Sequence, residues 1–250
     1  HAHPERPLTP EQFARFQQAI AERRRGVPVA YLTGKRAFYD RELVVSPAVL
    51  IPRPETEHLV EAALDWASRR AGLRIADVGA GSGAIAVTLA AHLPGAAVWA
   101  IDRSEEALAV ARENAARAGV EEQITFVRGD LLSPLLAETL RVDLIAANLP
   151  YIPSADLDSL AVARFEPRAA LDGGPDGLDL IRRLLDQAPA ALRPGGLVLL
   201  EIQSGQGMRV AELGGAAFPG AEVRVLADYA GHDRVVWIQT GETDVTSDFH

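Results

Sequence analysis

Apolar positions follow two spacings along this chain, and the change at Arg74 divides it. Before that point Phe13, Phe16 and Ile20 recur at helical spacing behind Thr9-Pro10-Glu11, a Thr cap with Pro in the first turn. They predict a helix to about Arg25, closed by Gly26. Residues 27–49 are rich in β-branched and aromatic side chains, and 36–45 reads as a β-hairpin turning near Asp40-Arg41. Pro52 and Pro54 fix an extended loop. A helix then begins at Glu55 or Thr56 and carries Leu59, Val60, Ala63, Leu64 and Trp66.

From Arg74 the chain alternates short apolar runs with helical stretches. Strands are predicted at 74–78, 97–101, 123–128, 142–147 and 197–202, and two more at 221–226 and 234–239. Helices are predicted at 84–92, 105–118 (capped by Ser104) and, for the most part, 175–192. Parallel strands need crossover connections, so this alternation implies an α/β fold with a doubly wound, mostly parallel seven-stranded sheet, Rossmann-like in class. The polar run 240–250 reads as a loose tail.

Composition narrows the class. The 250 residues are 48% hydrophobic, ordinary for a globular enzyme, and no apolar run nears the about 18 residues that span a bilayer. There is no signal-peptide pattern and no cysteine, which excludes disulfides and thiolate metal sites and points to the cytoplasm. A net charge of −9 argues against a nucleic-acid partner, since the one basic cluster is Arg23-Arg24-Arg25. Met208 is the sole methionine, so His1-Ala2-His3 is set aside as a processed, trimmed or added end.

The chemistry collects at strand ends. Asp77-Val-Gly79-Ala80-Gly81-Ser82-Gly83 joins a strand to a helix, and glycines at alternate positions let backbone and helix N–H groups approach a ligand. Asp102 ends the next strand 19 residues beyond Gly83, where such folds bond a ribose diol. Together they favour an adenosine-containing cofactor over a structural turn. The spacing differs from G-x-G-x-x-G, the pyrophosphate turn of NAD enzymes. Asp130 follows Gly129 and reads either as a turn residue or as a partner for an adenine amine. The run 143–147 is a buried strand that Pro150 and Pro153 stop, leaving Asn148-Leu149-Pro150-Tyr151 at the carboxyl edge of the sheet. Asn148 offers an acceptor and two donors, and Tyr151 a flat face. Arg53 and Glu55 on the proline loop read most simply as a surface pair.

Four polar strand ends on one crevice resemble the S-adenosylmethionine-dependent methyltransferases, and Asn148 to Tyr151 is similar to their amino-group acceptor motif, (Asn/Asp/Ser)-Pro-Pro-(Tyr/Phe). The strings Arg25-Gly-Val-Pro-Val-Ala-Tyr-Leu-Thr-Gly34, Phe38-Tyr39, Leu50-Ile-Pro-Arg-Pro-Glu-Thr-Glu57 and Glu166-Pro-Arg-Ala-Ala-Leu-Asp-Gly-Gly-Pro-Asp-Gly177 resemble the protein-(glutamine-N5) methyltransferases of peptide chain release factors, the HemK/PrmC type. The match runs from about Arg25 to Gln239.

The resemblance implies methyl transfer from S-adenosylmethionine to the side-chain amide nitrogen of the Gln in a Gly-Gly-Gln loop, with no metal. It implies that Gly79, Ala80, Gly81, Ser82, Gly83, Asp102, Asp130, Leu131 and Asn148 hold the cofactor. Asn148, Leu149, Pro150 and Tyr151 would hold the glutamine, with Arg53 and Glu55 also at the substrate. It divides the chain into residues 1–35, the remnant of a helical docking region, 36–50, a linking hairpin, 51–240, the catalytic domain, and 241–250, the tail. Leu149 departs from the family pattern, where Pro is usual. The expected loss is stiffness before Pro150, since the carbonyl of residue 149 remains available.

Two rivals stand beside this reading. Asn-Leu-Pro-Tyr is also the form seen in ribosomal RNA adenine dimethyltransferases, against which stand the acidic charge, the glycine turn and the Pro-Arg-Pro-Glu string. The other rival is a catalytically silent binding module that keeps the fold.

Overall fold

The computed structural model describes residues 7–242. The His1-Ala2-His3 end and all but the first two residues of the expected 241–250 tail lie outside them. The chain opens with α1 (Pro10–Arg24), α2 (Val29–Thr33), the hairpin β1 (Lys35–Phe38) and β2 (Arg41–Val44), and α3 (Glu55–Ala67). There follow β3 (Arg74–Val78), α4 (Ala84–His92), β4 (Ala97–Asp102), α5 (Glu105–Ala118), β5 (Ile124–Arg128), α6 (Ser133–Ala137) and β6 (Val142–Ala147). The last third is α7 (Asp179–Ala191), β7 (Leu192–Glu201), α8 (Gly207–Ala217), β8 (Glu222–Ala227) and β9 (Asp233–Gln239).

The seven-stranded sheet has the order β5-β4-β3-β6-β7-β9-β8, parallel from β5 to β7, with β9 running against both of its neighbours. Alternation along each strand sends side chains to opposite faces. Ile75, Leu144 and Leu199 meet α3, α4 and α5 in one buried layer, while Ala76, Ile145 and Val198 meet α6, α7 and α8 in the other. Strand order runs outward in both directions from β3 and β6. The crevice beyond their carboxyl ends is therefore a topological switch point, where open α/β sheets bind ligands. Among the described residues no helix is long and apolar enough to cross a membrane.

The predicted caps form. Thr9 Oγ1 accepts from Gln12 N, Gln12 Oε1 accepts from Thr9 N, and Ser104 Oγ accepts from Ala107 N. Three details differ from the sequence reading. The hairpin turns on Tyr39-Asp40, with Arg41 already paired to Phe38. The helix expected over 175–192 begins only at Asp179, because 172–178 is used as a loop against the strand end at Tyr151. The short helices α2 and α6 had no periodic signal long enough to read. Helix α1 has no buried residue, and Phe13, Phe16 and Ile20 are exposed.

Candidate active site

A cleft of about 510 Å³ opens at the switch point, within the range of small-molecule sites. Its walls include Gly79, Ala80, Gly81, Ser82, Asp102, Asp130, Leu131, Asn148, Leu149 and Pro150, with Arg53 at the rim. Gly83, Glu55 and Tyr151 are not on its wall.

Geometry sharpens what the glycine turn offers. The N–H groups of Gly79 and Ala80 both donate to Ile101 O, that of Gly81 to Asp102 Oδ2 (2.9 Å) and that of Gly83 to Ala80 O. A turn with four of its five N–H groups spent internally is a poor cradle for phosphate. It presents bare Cα surface and a nearby carboxylate, which suits a neutral or cationic ligand. Asn114 on α5 braces the turn from behind, donating to Ser82 O and Val44 O and accepting from Val44 N, so the hairpin is tied to it.

Acidic groups line the strand ends in sequence. Asp77 is buried under the turn and accepts from Ala86 N in the first turn of α4. Burial pushes its carboxyl up to about 7; the Ala86 N–H pulls against that and the Asp102 charge adds to it. Asp102 Oδ1 accepts from Ser104 N. Each oxygen of Asp102 thus takes one backbone N–H and keeps a second lone pair for a diol. Asp130 is ion-paired to Arg183 and, at 3.9 Å, to Arg103, and its buried Oδ1 accepts no hydrogen bond among the described residues. Leu131 beside it holds a left-handed φ of +52°, uncommon for a branched residue.

At the end of β6, Asn148 Nδ2 donates to Thr56 Oγ1 at 3.0 Å. Its Oδ1 and the Leu149 carbonyl receive no hydrogen bond from the described residues. Leu149 is buried, its side chain lying against Gly79. The carbonyl of Tyr151 accepts from Gln206 Nε2 (3.1 Å), and Gly177 approaches it so closely that a Cβ there would overlap it. The Tyr151 hydroxyl donates to Glu201 Oε1 at 3.4 Å, and burial holds the phenol protonated far above its ordinary range.

The expected surface pair of Arg53 with Glu55 does not form. Arg53 Nη2 instead donates to both oxygens of the buried Glu166, at 2.7 and 2.8 Å, joining the proline loop to the 166–177 segment. Burial raises the Glu166 carboxyl even against that guanidinium. Tyr31 of α2 fixes the same wall by donating to Val49 O at 2.6 Å.

Sequence reasoning missed Thr56, Glu166 and Glu201 as site residues. Glu201 had a signal: it is a fifth polar strand end, in line with Asp77, Asp102, Asp130 and Asn148. It is wholly buried, and burial pushes it up to about 7 while the Thr56 hydroxyl and the Arg234 charge pull down and Glu55 adds to the rise.

Known proteins resemble this chain in sequence and in fold. Residues 75–164 match the family profile described as a methyltransferase domain, and 1–34 match the PrmC N-terminal domain. The release factor glutamine methyltransferase of Moorella thermoacetica is 50% identical over 231 residues, covering 92% of this chain and 81% of that protein. The protein of that name in Bacillus subtilis is 42% identical, covering 92% and 81%. Among solved structures, the 16S rRNA N2 G1207 methyltransferase of Thermus thermophilus shares the fold at a TM-score of 0.61 and 19% identity, covering 82% of this chain and 49% of that one. The ribosomal protein L11 methylase of Lactobacillus delbrueckii subsp. bulgaricus does so at 0.57 and 22%, covering 79% and 84%. With identity that high over most of both sequences, and with the seven-stranded sheet and its cleft in place, this chain is a methyltransferase and belongs to the release factor glutamine methyltransferase family.

Proposed function

We propose that this protein methylates the side-chain amide nitrogen, N5, of the glutamine in the Gly-Gly-Gln loop of peptide chain release factors, with S-adenosylmethionine as donor. Release factors act on ribosomes, so the reaction belongs to the cytoplasm. The observation that carries the reading is the pair of free acceptors, Asn148 Oδ1 and Leu149 O, at the cleft edge. A primary amide presents two N–H groups, and two fixed acceptors match them.

The cofactor fits the residues present. The turn from Gly79 to Gly83 offers close approach without a phosphate cradle, Asp102 keeps lone pairs for a ribose diol, and the buried Asp130 Oδ1 suits an adenine amine. S-adenosylmethionine, when bound, supplies an electrophilic methyl carbon whose sulfonium leaves as a neutral thioether. The chain's own task is the nucleophile. An amide nitrogen shares its lone pair with its carbonyl. Asn148 Oδ1 and Leu149 O would accept its two hydrogens, orient it and draw electron density toward nitrogen. As the N–C bond forms, the nitrogen becomes cationic and its hydrogens more acidic, so both acceptor bonds strengthen in the transition state. One proton then leaves to solvent. Pro150 keeps the tip rigid and Tyr151, next in the chain, would flank the amide plane, with Arg53 on the cleft wall and Glu55 off it.

Residues 1–35 are the docking part of this reading. Helix α1 shows Phe13, Phe16 and Ile20 to solvent, the apolar side chains with which a release factor can be held away from its reacting loop.

The test is incubation with methyl-labelled cofactor, a purified release factor and ribosomal RNA together. Label on the Gly-Gly-Gln peptide is the expected result. Label on RNA alone, or no cofactor binding by calorimetry, would overturn it in favour of an adenine methyltransferase or a silent module.

A further inference from the structure

We propose that Gln206 is a positioning residue for methyl transfer, the side chain that fixes the backbone of the acceptor tip and with it the direction of the Leu149 carbonyl. The proposal rests on the reading of that carbonyl as an acceptor and deepens it. The tip leaves the sheet after Ala147, the last residue of β6, and returns to paired backbone at Ile152, whose N–H donates to Leu171 O. Among the described residues, the backbone of 149–151 makes one hydrogen bond: Tyr151 O accepts from Gln206 Nε2 at 3.1 Å. An acceptor favours a transition state only where it is already aimed, and the Pro150 ring by itself fixes a single torsion.

Gln206 is itself held at both ends. It lies between β7 and α8, in a turn that starts at Gln203 and has Gly205 at φ +90°. Its backbone N–H donates to Gln203 O, and its side-chain Oε1 accepts from Gln203 N, both at 3.0 Å. Turned end for end, the side-chain amide would set its NH₂ against an N–H and its oxygen against a carbonyl, so its orientation is decided. Its own carbonyl accepts from Val210 N in the first turn of α8, which keeps the residue in place whatever its side chain.

Two glycines close over the bond. A Cβ on Gly177 would overlap Tyr151 O and stand 2.9 Å from Gln206 Nε2, and one on Gly173 would stand 2.7 Å from Pro150 O. Backbone lying that near leaves little room for water to replace the donor. Asp176 of the same loop pairs with Arg182 of α7 and, at 3.0 Å, with Arg209 of α8. Loop, helix start and tip thus form one brace, with the Gln206 amide as its link to the tip. Gln206 is not on the cleft wall and acts through the tip.

Gln206→Glu keeps the shape and the oxygen that Gln203 N needs, but sets against Tyr151 O a carboxylate, which can only accept. Protonating that carboxyl restores the donor. The charged groups on the elements packed around it are Asp176 with its partners Arg182 and Arg209, Asp233 beside Gly207, Glu201 at the end of β7, and Arg234 in β9, which is paired to Asp228. Gln206→Leu removes the donor at every pH. At pH 8 both variants should lose kcat on the order of tenfold relative to the parent, the scale of one neutral hydrogen bond, with KM and cofactor affinity within about threefold. As pH falls to about 5 the deficit of Gln206→Glu should shrink while that of Gln206→Leu stays constant.

Tyr151-Ile152 is the one Tyr-Ile pair in the sequence, and Asn148-Leu149 the one Asn-Leu pair. Labelling the first carbonyl carbon and the second nitrogen of each pair therefore gives a single NMR correlation apiece, and both should shift in Gln206→Leu. These signals need no substrate, so they decide the brace even if the parent protein were to leave release factors unmethylated, a result that would sink the proposed function instead. A parent-like kcat in Gln206→Leu, a Gln206→Glu deficit constant with pH, or an unmoved Asn148-Leu149 signal in Gln206→Leu overturns the positioning role.

Discussion

The side chain of Leu149 lies over Gly79, so close that a Cβ on Gly79 would come within 3.1 Å of Leu149 Cδ2. The residue that departs from the family pattern is thus buried packing that ties the acceptor tip to the cofactor turn. The stiffness that Pro would give from within the backbone is supplied here, in part, by a side-chain contact. Gly79 also holds φ +78°, which costs a side-chain-bearing residue about 1–2 kcal/mol. Gly79→Ala should lower the melting temperature and weaken cofactor binding. Leu149→Ala should relieve part of that loss, so the double variant loses less than the two single losses combined. Strict additivity in thermal melts and calorimetry would refute the contact.

Asn148→Ala should abolish methyl transfer while leaving cofactor affinity within a few fold. Its amide contributes an acceptor at the cleft edge and a bond to Thr56, and neither belongs to the glycine turn. A single-turnover assay with labelled cofactor checks this, and surviving transfer would remove Asn148 from the acceptor role.

Asp102→Ala should weaken cofactor binding at least about tenfold, the scale of losing hydrogen bonds to a charged group. The carboxylate also receives Gly81 N and Ser104 N, so the turn and the start of α5 loosen with it. Calorimetry reads the affinity, and an unchanged value would exclude the ribose role.

Arg53 and Glu166 should respond unequally. Removing Arg53 leaves a buried carboxylate without its cation, which costs about 3–5 kcal/mol. Glu166→Gln leaves a guanidinium that is already part-exposed and keeps an acceptor beside it. Urea denaturation should therefore find Arg53→Ala clearly less stable than Glu166→Gln. The reverse order would mean that the pair carries no buried charge.

Stability should fall as pH rises from about 5 toward 8. Burial raises both Asp77 and Glu201 to about 7 in the folded chain, above their ordinary values. Between the ordinary value and 7 the folded state holds protons that the unfolded chain has released, so stability is full at the acid end and is lost as pH climbs through 7. Asp77→Asn and Glu201→Gln should each flatten the profile of melting temperature against pH. A profile rising across this window in the parent would contradict both assignments.

What could be read from the residues was local or periodic. Thr9 and Ser104 announced their helices, alternate faces of 74–78 and 142–147 announced a sheet buried on both sides, and polar strand ends marked the crevice edge. What could not be read depends on register across the sheet. Arg53 meets Glu166 from 113 residues away, and no local rule separates that partner from the nearer Glu55. Thr56 resembled only a helix start until α3 was set beside β6, where its hydroxyl meets the Asn148 amide. The turn's donors were expected to face a ligand, but Ile101 and Asp102 claim several of them, a fact of how β3 and β4 lie side by side.

Because β9 runs against β7, the last described strand enters the sheet at the cleft edge and leaves it at the far one. There Gly195 N donates to Gly241 O at 2.6 Å. A linkage made at Gly241 would therefore hold the molecule by its back, with the cleft pointing away from any bead or sensor surface. The same polarity puts the 228–232 loop and its exposed Tyr229 on the cleft side, where a linkage would crowd whatever approaches.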